Sequence, residues 1–176
     1  MPTELNGKLF KKYKSTHNTF IETGSYIGDG IQSALNAKFD NIYSMEISPH
    51  HYEITKQRFL TNENVNVILG DSRLLLDSIL HKNKSNIVFW LDAHCSGGMT
   101  EGDDVLSTLN TELNIVQKQK VKDCVIILDD MNPELIDLYS IKLQNMFDVI
   151  DIVVENGYQE HTGHVFLNSI LVIIIK

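Results

Sequence analysis

The sequence predicts an α/β protein with a doubly wound sheet of seven strands, mostly parallel and closed by an antiparallel C-terminal hairpin. Strand-like and helix-like segments alternate along most of the chain, as in sheets flanked by helices on both faces. Two central segments, Ile87 to Leu91 and Val125 to Leu128, are continuous apolar runs, which is typical of strands covered on both faces. The last two strand candidates have no helix between them, so we expect them to be antiparallel neighbours.

Each predicted element follows from this alternation. The strands are short apolar segments, and acidic residues lie at or just after the ends of the first five. Their predicted ranges are 19–23, 41–47, 65–69, 87–92, 124–129, 149–155 and 165–175. The helices fill the intervals between the first six strands, and their predicted ranges are 28–37, 50–60, 72–81, 104–120 and 133–146. The remaining interval, 156–164, is too short for a crossover helix, and its residues Tyr158, His161 and His164 are predicted to form a link.

Length and composition predict a single cytoplasmic domain over residues 1–176. The hydrophobic content of 43% is ordinary for a globular protein, and 176 residues suffice for one core. No apolar run reaches the length of a membrane span, and the N-terminus lacks the pattern of a secretory signal. The two cysteines, Cys95 and Cys124, form no CxxC pair, which disfavours a structural zinc site. The chain stops just after its last strand, so a larger parent chain also fits.

The net charge of −8 argues against a nucleic-acid substrate. Proteins that bind nucleic acid usually carry a basic face, because neutralising phosphates supplies much of their affinity. A basic stretch does occur near the N-terminus, at Lys8, Lys11, Lys12 and Lys14, but it is short. We therefore expect a partner other than nucleic acid.

A glycine-rich turn follows the first predicted strand. Gly24, Gly28 and Gly30 permit unusual backbone angles and close approach of the backbone to a nucleotide-like ligand. Glu46, which ends the second strand 22 residues after Gly24, fits an acceptor for two ribose hydroxyls. Two plainer interpretations stay open, an ordinary turn for the glycines and a solvated acid for Glu46.

Ligands of open α/β sheets bind beyond the carboxyl ends of the strands, which makes the later strand ends informative. Asp71 and Ser72 follow the third strand and can meet an adenine amino group, cap the next helix, or do both.

Three acids, Asp92, Asp129 and Asp130, follow the fourth and fifth strands, which we expect to be neighbours. Crowded like charges cost free energy, and a divalent cation such as Mg²⁺ relieves that cost with oxygen ligands. The alternative is a cap on the helix beginning near Pro133, together with a solvated acid.

Histidines at the same edge are candidates for a general base. His94 stands between Asp92 and a glycine pair, and an unperturbed imidazole titrates near neutral pH. Asp92 is the second candidate, and His161 or His164 could serve if the link folds over the site. The following segment, 96–103, is glycine-rich and polar, which is typical of a mobile substrate loop or of a disordered connection.

Four segments taken in order resemble the class I S-adenosylmethionine-dependent methyltransferases, which have a Rossmann-like fold. They are Glu22-Thr-Gly-Ser-Tyr-Ile-Gly28, Met45-Glu-Ile-Ser-Pro49, Val88-Phe-Trp-Leu-Asp-Ala-His94 and Leu128-Asp-Asp130. The resemblance covers residues 19–131. Its nearest branch is the cation-dependent O-methyltransferases, which include catechol O-methyltransferase and the macrocin-type enzymes that methylate sugar hydroxyls.

This resemblance implies a role for each matching residue. The cofactor-binding set would be Glu22, Gly24, Ser25, Tyr26, Gly28, Glu46, Ile47, Asp71, Ser72 and Asp92. A divalent cation, Mg²⁺ or Mn²⁺, would be held by Asp92, Asp129 and Asp130, and the catalytic residues would be Asp92 and His94. Two departures stand out, since Cys95 occupies the position of the lysine base in catechol enzymes and few residues precede the first strand.

The function expected from this resemblance is metal-dependent methyl transfer to a hydroxyl of a sugar, glycan or other small molecule. An Asn-Pro-Pro-Tyr stretch, used by enzymes that methylate nucleic-acid amino groups, is missing from the sequence. Two alternatives are a nicotinamide-dependent oxidoreductase and a non-catalytic domain that binds S-adenosylmethionine. The short N-terminus leaves the acceptor side open or covered by another chain, as in a homodimer.

Overall fold

The computed structural model describes residues 4–92, 105–129, 131–161 and 164–176. Its helices are α1 (Glu4–Lys14), α2 (Asp29–Ala37), α3 (Pro49–Arg58), α4 (Ser72–Leu80), α5 (Val105–Lys118) and α6 (Pro133–Met146). Its strands are β1 (Thr19–Thr23), β2 (Asn41–Glu46), β3 (Val65–Leu69), β4 (Ser85–Leu91), β5 (Lys122–Leu128), β6 (Val149–His161) and β7 (His164–Ile175). Across these four ranges, no helix has the length and apolar character needed to cross a membrane.

The seven strands form one sheet in the order β3-β2-β1-β4-β5-β7-β6. The strands from β3 to β5 pair in parallel, and β7 runs antiparallel to both β5 and β6. This arrangement confirms the predicted doubly wound, mostly parallel sheet with its antiparallel C-terminal hairpin. The strand order reverses direction between β1 and β4, and ligands of such sheets bind at a reversal of this kind.

The sheet is covered on both faces, as the apolar central strands predicted. Along β1 and β4, alternate residues enter different cores, because successive side chains of a strand point to opposite faces. Phe20 and Val88 pack in the core beneath α1, α2 and α3. Ile21 and Phe89 pack in the other core, beneath α4, α5 and α6. The helices therefore separate into an N-terminal layer and a C-terminal layer.

Helix α1 is an element that the sequence analysis missed. Leu9, Phe10 and Tyr13 are buried, and the Phe10 ring lies edge-on to Trp90 with centroids 5.1 Å apart. The sequence has apolar residues at the spacing of a helix face, but the segment was interpreted only from the charge of the lysines between them. The chain before β1 is thus part of the core.

The C-terminal hairpin is longer than predicted. Residues 156–161 continue β6, and pairing extends to His161 opposite His164, so the expected link is mostly strand. Strand β5 ends at Leu128, opposite Leu171, so the hairpin continues past the carboxyl end of β5. Continued cross-strand hydrogen bonding explains the difference, since the same segment could satisfy its backbone groups by pairing rather than by solvent.

Candidate functional site

The carboxyl ends of β1, β2, β4 and β5 lie side by side and form what we call the carboxyl rim. In register, Thr23 pairs with Met45 and Leu91, and Leu91 pairs with Leu128. The residues that follow these positions are Gly24, Glu46, Asp92 and Asp129, so the sheet brings them to neighbouring places. The backbone N–H of Asp92 donates to the Thr23 carbonyl at 3.2 Å, which extends the β1–β4 contact by one residue.

The glycine-rich turn, residues 24–30, is held from several sides. Tyr26 has a φ of 47°, which is uncommon for a residue with a side chain. Its N–H donates to Glu46 Oε2 at 2.7 Å, and its carbonyl accepts from Thr55 Oγ1 at 2.6 Å. Arg58 donates to the Ile27 carbonyl at 2.8 Å. The turn is therefore preformed by β2 and α3.

Two glycines of this turn are needed by the fold itself. A Cβ on Gly28, whose φ is 86°, would collide with the Phe59 ring, and one on Gly30 would collide with Glu22 Oε1. The predicted role of these glycines is to permit close approach of a ligand to the backbone. The groups that approach them here are side chains of the protein, and the role of Gly28 at a cofactor stays a prediction.

Glu46 is a buried carboxylate at the centre of the rim, which rules out the solvated interpretation. It is 6% exposed, and its second oxygen accepts from the Ser48 N–H at 2.8 Å. The two residues beside it are open, because Ile47 is 52% exposed and Tyr26 is 58% exposed. A fixed acceptor next to open apolar surface suits a sugar hydroxyl joined to a flat ring.

Glu22 lies inside the fold, with 2% exposure. Ser44 Oγ donates to its Oε2 at 2.5 Å and is also hydrogen-bonded to Ser25 Oγ at 2.5 Å. Burial is the main reason that the pKa of Glu22 is raised to about 8; the hydrogen bond from Ser44 opposes this shift, and the charges of Asp92 and Glu46 contribute to it, so the protonated form is favoured. The predicted roles of Glu22 and Ser25 as cofactor contacts stay predictions, while both side chains support the turn.

Asp71 caps α4, one of its two predicted roles. Its Oδ1 accepts from the Arg73 N–H at 2.9 Å, and its Oδ2 accepts from Arg73 Nη2 at 2.7 Å. The Arg73 guanidinium holds the pKa of Asp71 below its usual value. Ser72 is buried and donates to Glu112 Oε1 at 2.6 Å. An adenine edge would thus meet two residues that already have partners.

Of the three acids predicted at the ends of β4 and β5, the structure describes Asp92 and Asp129. Asp92 and Asp129 lie at adjacent strand ends and are partly exposed, and the Trp90 indole donates to Asp92 Oδ2 at 3.4 Å. Asp130 and His94 lie outside the described residues. Among the residues that are described, no group of three potential metal ligands occurs.

The cap expected for α6 is provided by another residue. Asn132 Oδ1 accepts from the Leu135 N–H at 2.8 Å, and Pro133 occupies the first turn. The N-cap interpretation is therefore wrong for Asp129, because the side chain that caps α6 belongs to Asn132, the residue directly before Pro133.

Glu112 on α5 is a rim residue that the sequence analysis missed. The mixed charge of the predicted helix 104–120 is typical of a solvated face, but Glu112 is 1% exposed and accepts hydrogen bonds from Ser72 and Thr23. A signal existed, since Glu112 follows Leu109 by three positions and precedes Val116 by four, on the apolar side of the helix.

Comparison with known proteins identifies the fold. No protein-family model matches the sequence, and a search of curated proteins gave no match. Solved structures do match: a precorrin-6y C5,15-methyltransferase from Geobacter metallireducens has 12% identity and a TM-score of 0.68, with 99% of this chain and 90% of that chain covered. An O-methyltransferase from Bacillus cereus in complex with SAH has 14% identity and a TM-score of 0.64, with 98% and 81% covered. An rRNA methylase from Streptococcus thermophilus has 12% identity and a TM-score of 0.66, with 100% and 98% covered.

These similarities establish a Rossmann-like methyltransferase fold for this chain. The matched proteins are named for different acceptors, precorrin-6y and rRNA among them. The fold therefore leaves the acceptor undecided, and the residues of the rim carry the argument about function.

Proposed function

We propose that this protein is an S-adenosylmethionine-dependent methyltransferase that methylates a hydroxyl group with the help of a divalent cation. The observation that carries the proposal is Glu46, a buried carboxylate bonded to the glycine-rich turn and flanked by the open side chains of Tyr26 and Ile47. The fold supports the same cofactor, since one structural neighbour was solved in complex with SAH.

The residues of the rim fit the proposed cofactor. Each oxygen of Glu46 accepts one backbone N–H, which leaves lone pairs on both for the ribose hydroxyls. Ile47 offers an exposed apolar face to adenine, and Gly24 and Tyr26 border the methionine end. Asp71 forms an ion pair with Arg73, so an adenine amino group would share the Asp71 carboxylate with that guanidinium. When bound, S-adenosylmethionine supplies a methyl group on a positively charged sulfur.

The acceptor would react beside Asp92 and Asp129. These carboxylates, together with Asp130, have the oxygen chemistry that Mg²⁺ or Mn²⁺ prefers. A bound cation supplies positive charge that lowers the pKa of an acceptor hydroxyl. The Asp92 N–H donates to Thr23, immediately before Gly24, which supports a position for Asp92 close to the proposed methionine end. Alignment of the acceptor oxygen with the methyl group supplies much of the acceleration in such reactions.

The proton of the acceptor hydroxyl requires a base. We propose His94 as the first candidate and Asp92 as the second, with His161 or His164 on the hairpin as further candidates. The acceptor proposed is a sugar or glycan hydroxyl, or that of another small molecule, because the net charge of −8 disfavours nucleic acid.

The nicotinamide alternative is disfavoured by the sheet. The common dinucleotide-binding arrangement is parallel throughout with strand order 3-2-1-4-5-6, whereas here an antiparallel β7 stands between β5 and β6. The alternative of a non-catalytic binding domain shares the same cofactor site and differs from the enzyme only in its lack of transfer.

Calorimetry with S-adenosylmethionine, SAH and NADH tests the proposal. We expect micromolar binding of the first two and no competition by NADH. Absence of binding at millimolar S-adenosylmethionine would overturn the proposal. A screen of sugars and small hydroxyl compounds with Mg²⁺ or Mn²⁺ then separates enzyme from binding domain, and transfer that persists in chelator would contradict the metal assignment.

A further inference from the structure

A single buried carboxylate, Glu112, connects three parts of the carboxyl rim. Ser72 Oγ, at the start of α4, donates to its Oε1 at 2.6 Å. Thr23 Oγ1, at the end of β1, donates to its Oε2 at 3.4 Å. Thr23 and Glu112 are 89 positions apart in the chain, so this contact exists only in the folded protein.

The Thr23 hydroxyl carries the connection on to β4. The Asp92 N–H donates a bifurcated hydrogen bond to the Thr23 hydroxyl at 3.3 Å and to the Thr23 carbonyl at 3.2 Å, while the hydroxyl donates to Glu112. A hydroxyl donates one hydrogen bond and accepts up to two, so the acceptor on Glu112 determines where its lone pairs point. Glu112 thereby orients a group that contacts Asp92 and directly precedes Gly24.

The position of Glu112 is costly for a residue with only a packing role. It stands beside Leu113 on the buried side of α5, where burial of a carboxylate is unfavourable unless hydrogen bonds compensate. An apolar residue of similar volume would pack there at lower cost. A carboxylate at position 112 is explained by its two hydroxyl donors, Ser72 and Thr23, which lie on either side of the proposed cofactor site.

We propose that Glu112 is a positioning residue of the methyl-transfer site. It holds the β1 end and Asp92 through Thr23, and the start of α4 through Ser72, so that the methionine end and the adenine end of the cofactor site keep a fixed separation. It acts through these residues and touches neither cofactor nor acceptor. The inference rests on the proposed function, because it presumes a cofactor along this rim.

The primary experiment measures SAH affinity of the wild type, Glu112→Gln and Tyr139→Phe by calorimetry. Glutamine keeps the shape but replaces one acceptor oxygen with an NH₂ group that cannot accept from a hydroxyl. We expect Glu112→Gln to bind SAH roughly tenfold more weakly. Tyr139→Phe is the matched control. It removes the 3.0 Å hydrogen bond from the buried Tyr139 on α6 to Asn110, which lies on α5 like Glu112. It should bind within about twofold of wild type.

A double-mutant cycle distinguishes positioning from general loosening. Thr23→Val removes the other partner of the Glu112 contact, so its effect on SAH affinity and that of Glu112→Gln should be non-additive. The effects of Glu112→Gln and Tyr139→Phe should be additive. Thermal unfolding of every variant shows whether affinity changes separately from stability.

The outcomes separate the two proposals. If the wild type fails to bind SAH, the proposed function is wrong and Glu112 has no site to position. If the wild type binds but Glu112→Gln binds equally well, or Tyr139→Phe loses as much affinity, the positioning role is wrong. Should Glu112→Gln fail to fold, Thr23→Val and Ser72→Ala decide, and unchanged affinity in both would overturn the inference.

Discussion

The two halves of the carboxyl rim differ in how their acidic side chains are arranged. On the cofactor side, formed by the ends of β1 and β2 with the start of α4, Glu46 accepts two backbone N–H groups and Asp71 accepts one. On the acceptor side, formed by the ends of β4 and β5, Asp92 and Asp129 follow paired strand positions and stand next to each other. The first half fixes single carboxylates, and the second brings like charges together.

This difference indicates two kinds of binding. Carboxylates held by backbone donors are oriented before a ligand arrives, so little ordering cost remains for the cofactor. Neighbouring carboxylates repel each other, and a bound cation would relieve that repulsion. We therefore expect the cofactor side to govern affinity and the acceptor side to govern the rate of transfer.

The largest expected effect separates rate from affinity on the acceptor side. Asp129→Asn would remove one charged oxygen from the proposed cation site, so metal-dependent transfer should fall on the order of a hundredfold. SAH affinity should stay within about twofold of wild type, because Asp129 lies away from the glycine-rich turn. Initial rates with Mg²⁺ or Mn²⁺ and calorimetry with SAH provide the two measurements.

Asp123→Asn is the matched control, since the same change is made at the exposed start of the same strand. It should leave both the rate and the affinity unchanged. An Asp129→Asn protein with full activity would remove the distinction between the two halves of the rim.

The next effect concerns affinity on the cofactor side. Glu46→Gln replaces one acceptor oxygen with an NH₂ group. This removes the hydrogen bond accepted from the Tyr26 or Ser48 N–H, and it also removes one acceptor for the ribose hydroxyls of the proposed cofactor. We expect SAH to bind about thirtyfold more weakly. Glu53→Gln, an identical change at an exposed position of α3, should bind as wild type does. Equal affinities of the two variants would mean that Glu46 has no part in the cofactor site.

The smallest effect on function is expected from Glu22, which supports the turn from inside. Its pKa rises from 4.5 to about 8 on folding, because burial disfavours the carboxylate. Between these values the folded protein binds more protons than the unfolded chain, so this group lowers the free energy of unfolding as pH rises from 4.5 to about 8. Glutamine does not titrate, so Glu22→Gln should gain stability relative to wild type with rising pH.

Melting temperatures from pH 5 to pH 8.5 measure this change, and we expect the difference between the two proteins to shift by roughly ten degrees. Glu63→Gln at an exposed position is the control, and its difference from wild type should stay nearly constant. A constant difference for Glu22→Gln as well would show that Glu22 is ionised in the folded protein.

Much of the architecture could be predicted from local patterns. Continuous apolar runs indicated β4 and β5, and the missing helix near the C-terminus indicated the antiparallel pair. Element ends were less predictable, because β6 continues six residues beyond the predicted 155 by pairing with β7. Helix α1 was missed because its stability comes from packing on Phe20 and Trp90, which lie later in the chain.

The sequence by itself determined the alternation of strands and helices and the acids that end the strands, because periodicity and strand-end chemistry are local properties. Only the tertiary structure decided the state of each acid. Glu22 meets Ser44 across 22 positions, Glu46 meets Tyr26 across 20, and Glu112 meets Ser72 across 40. Burial and hydrogen-bond partners come from residues distant in sequence, so the charge and role of a carboxylate depend on contacts that exist only after folding.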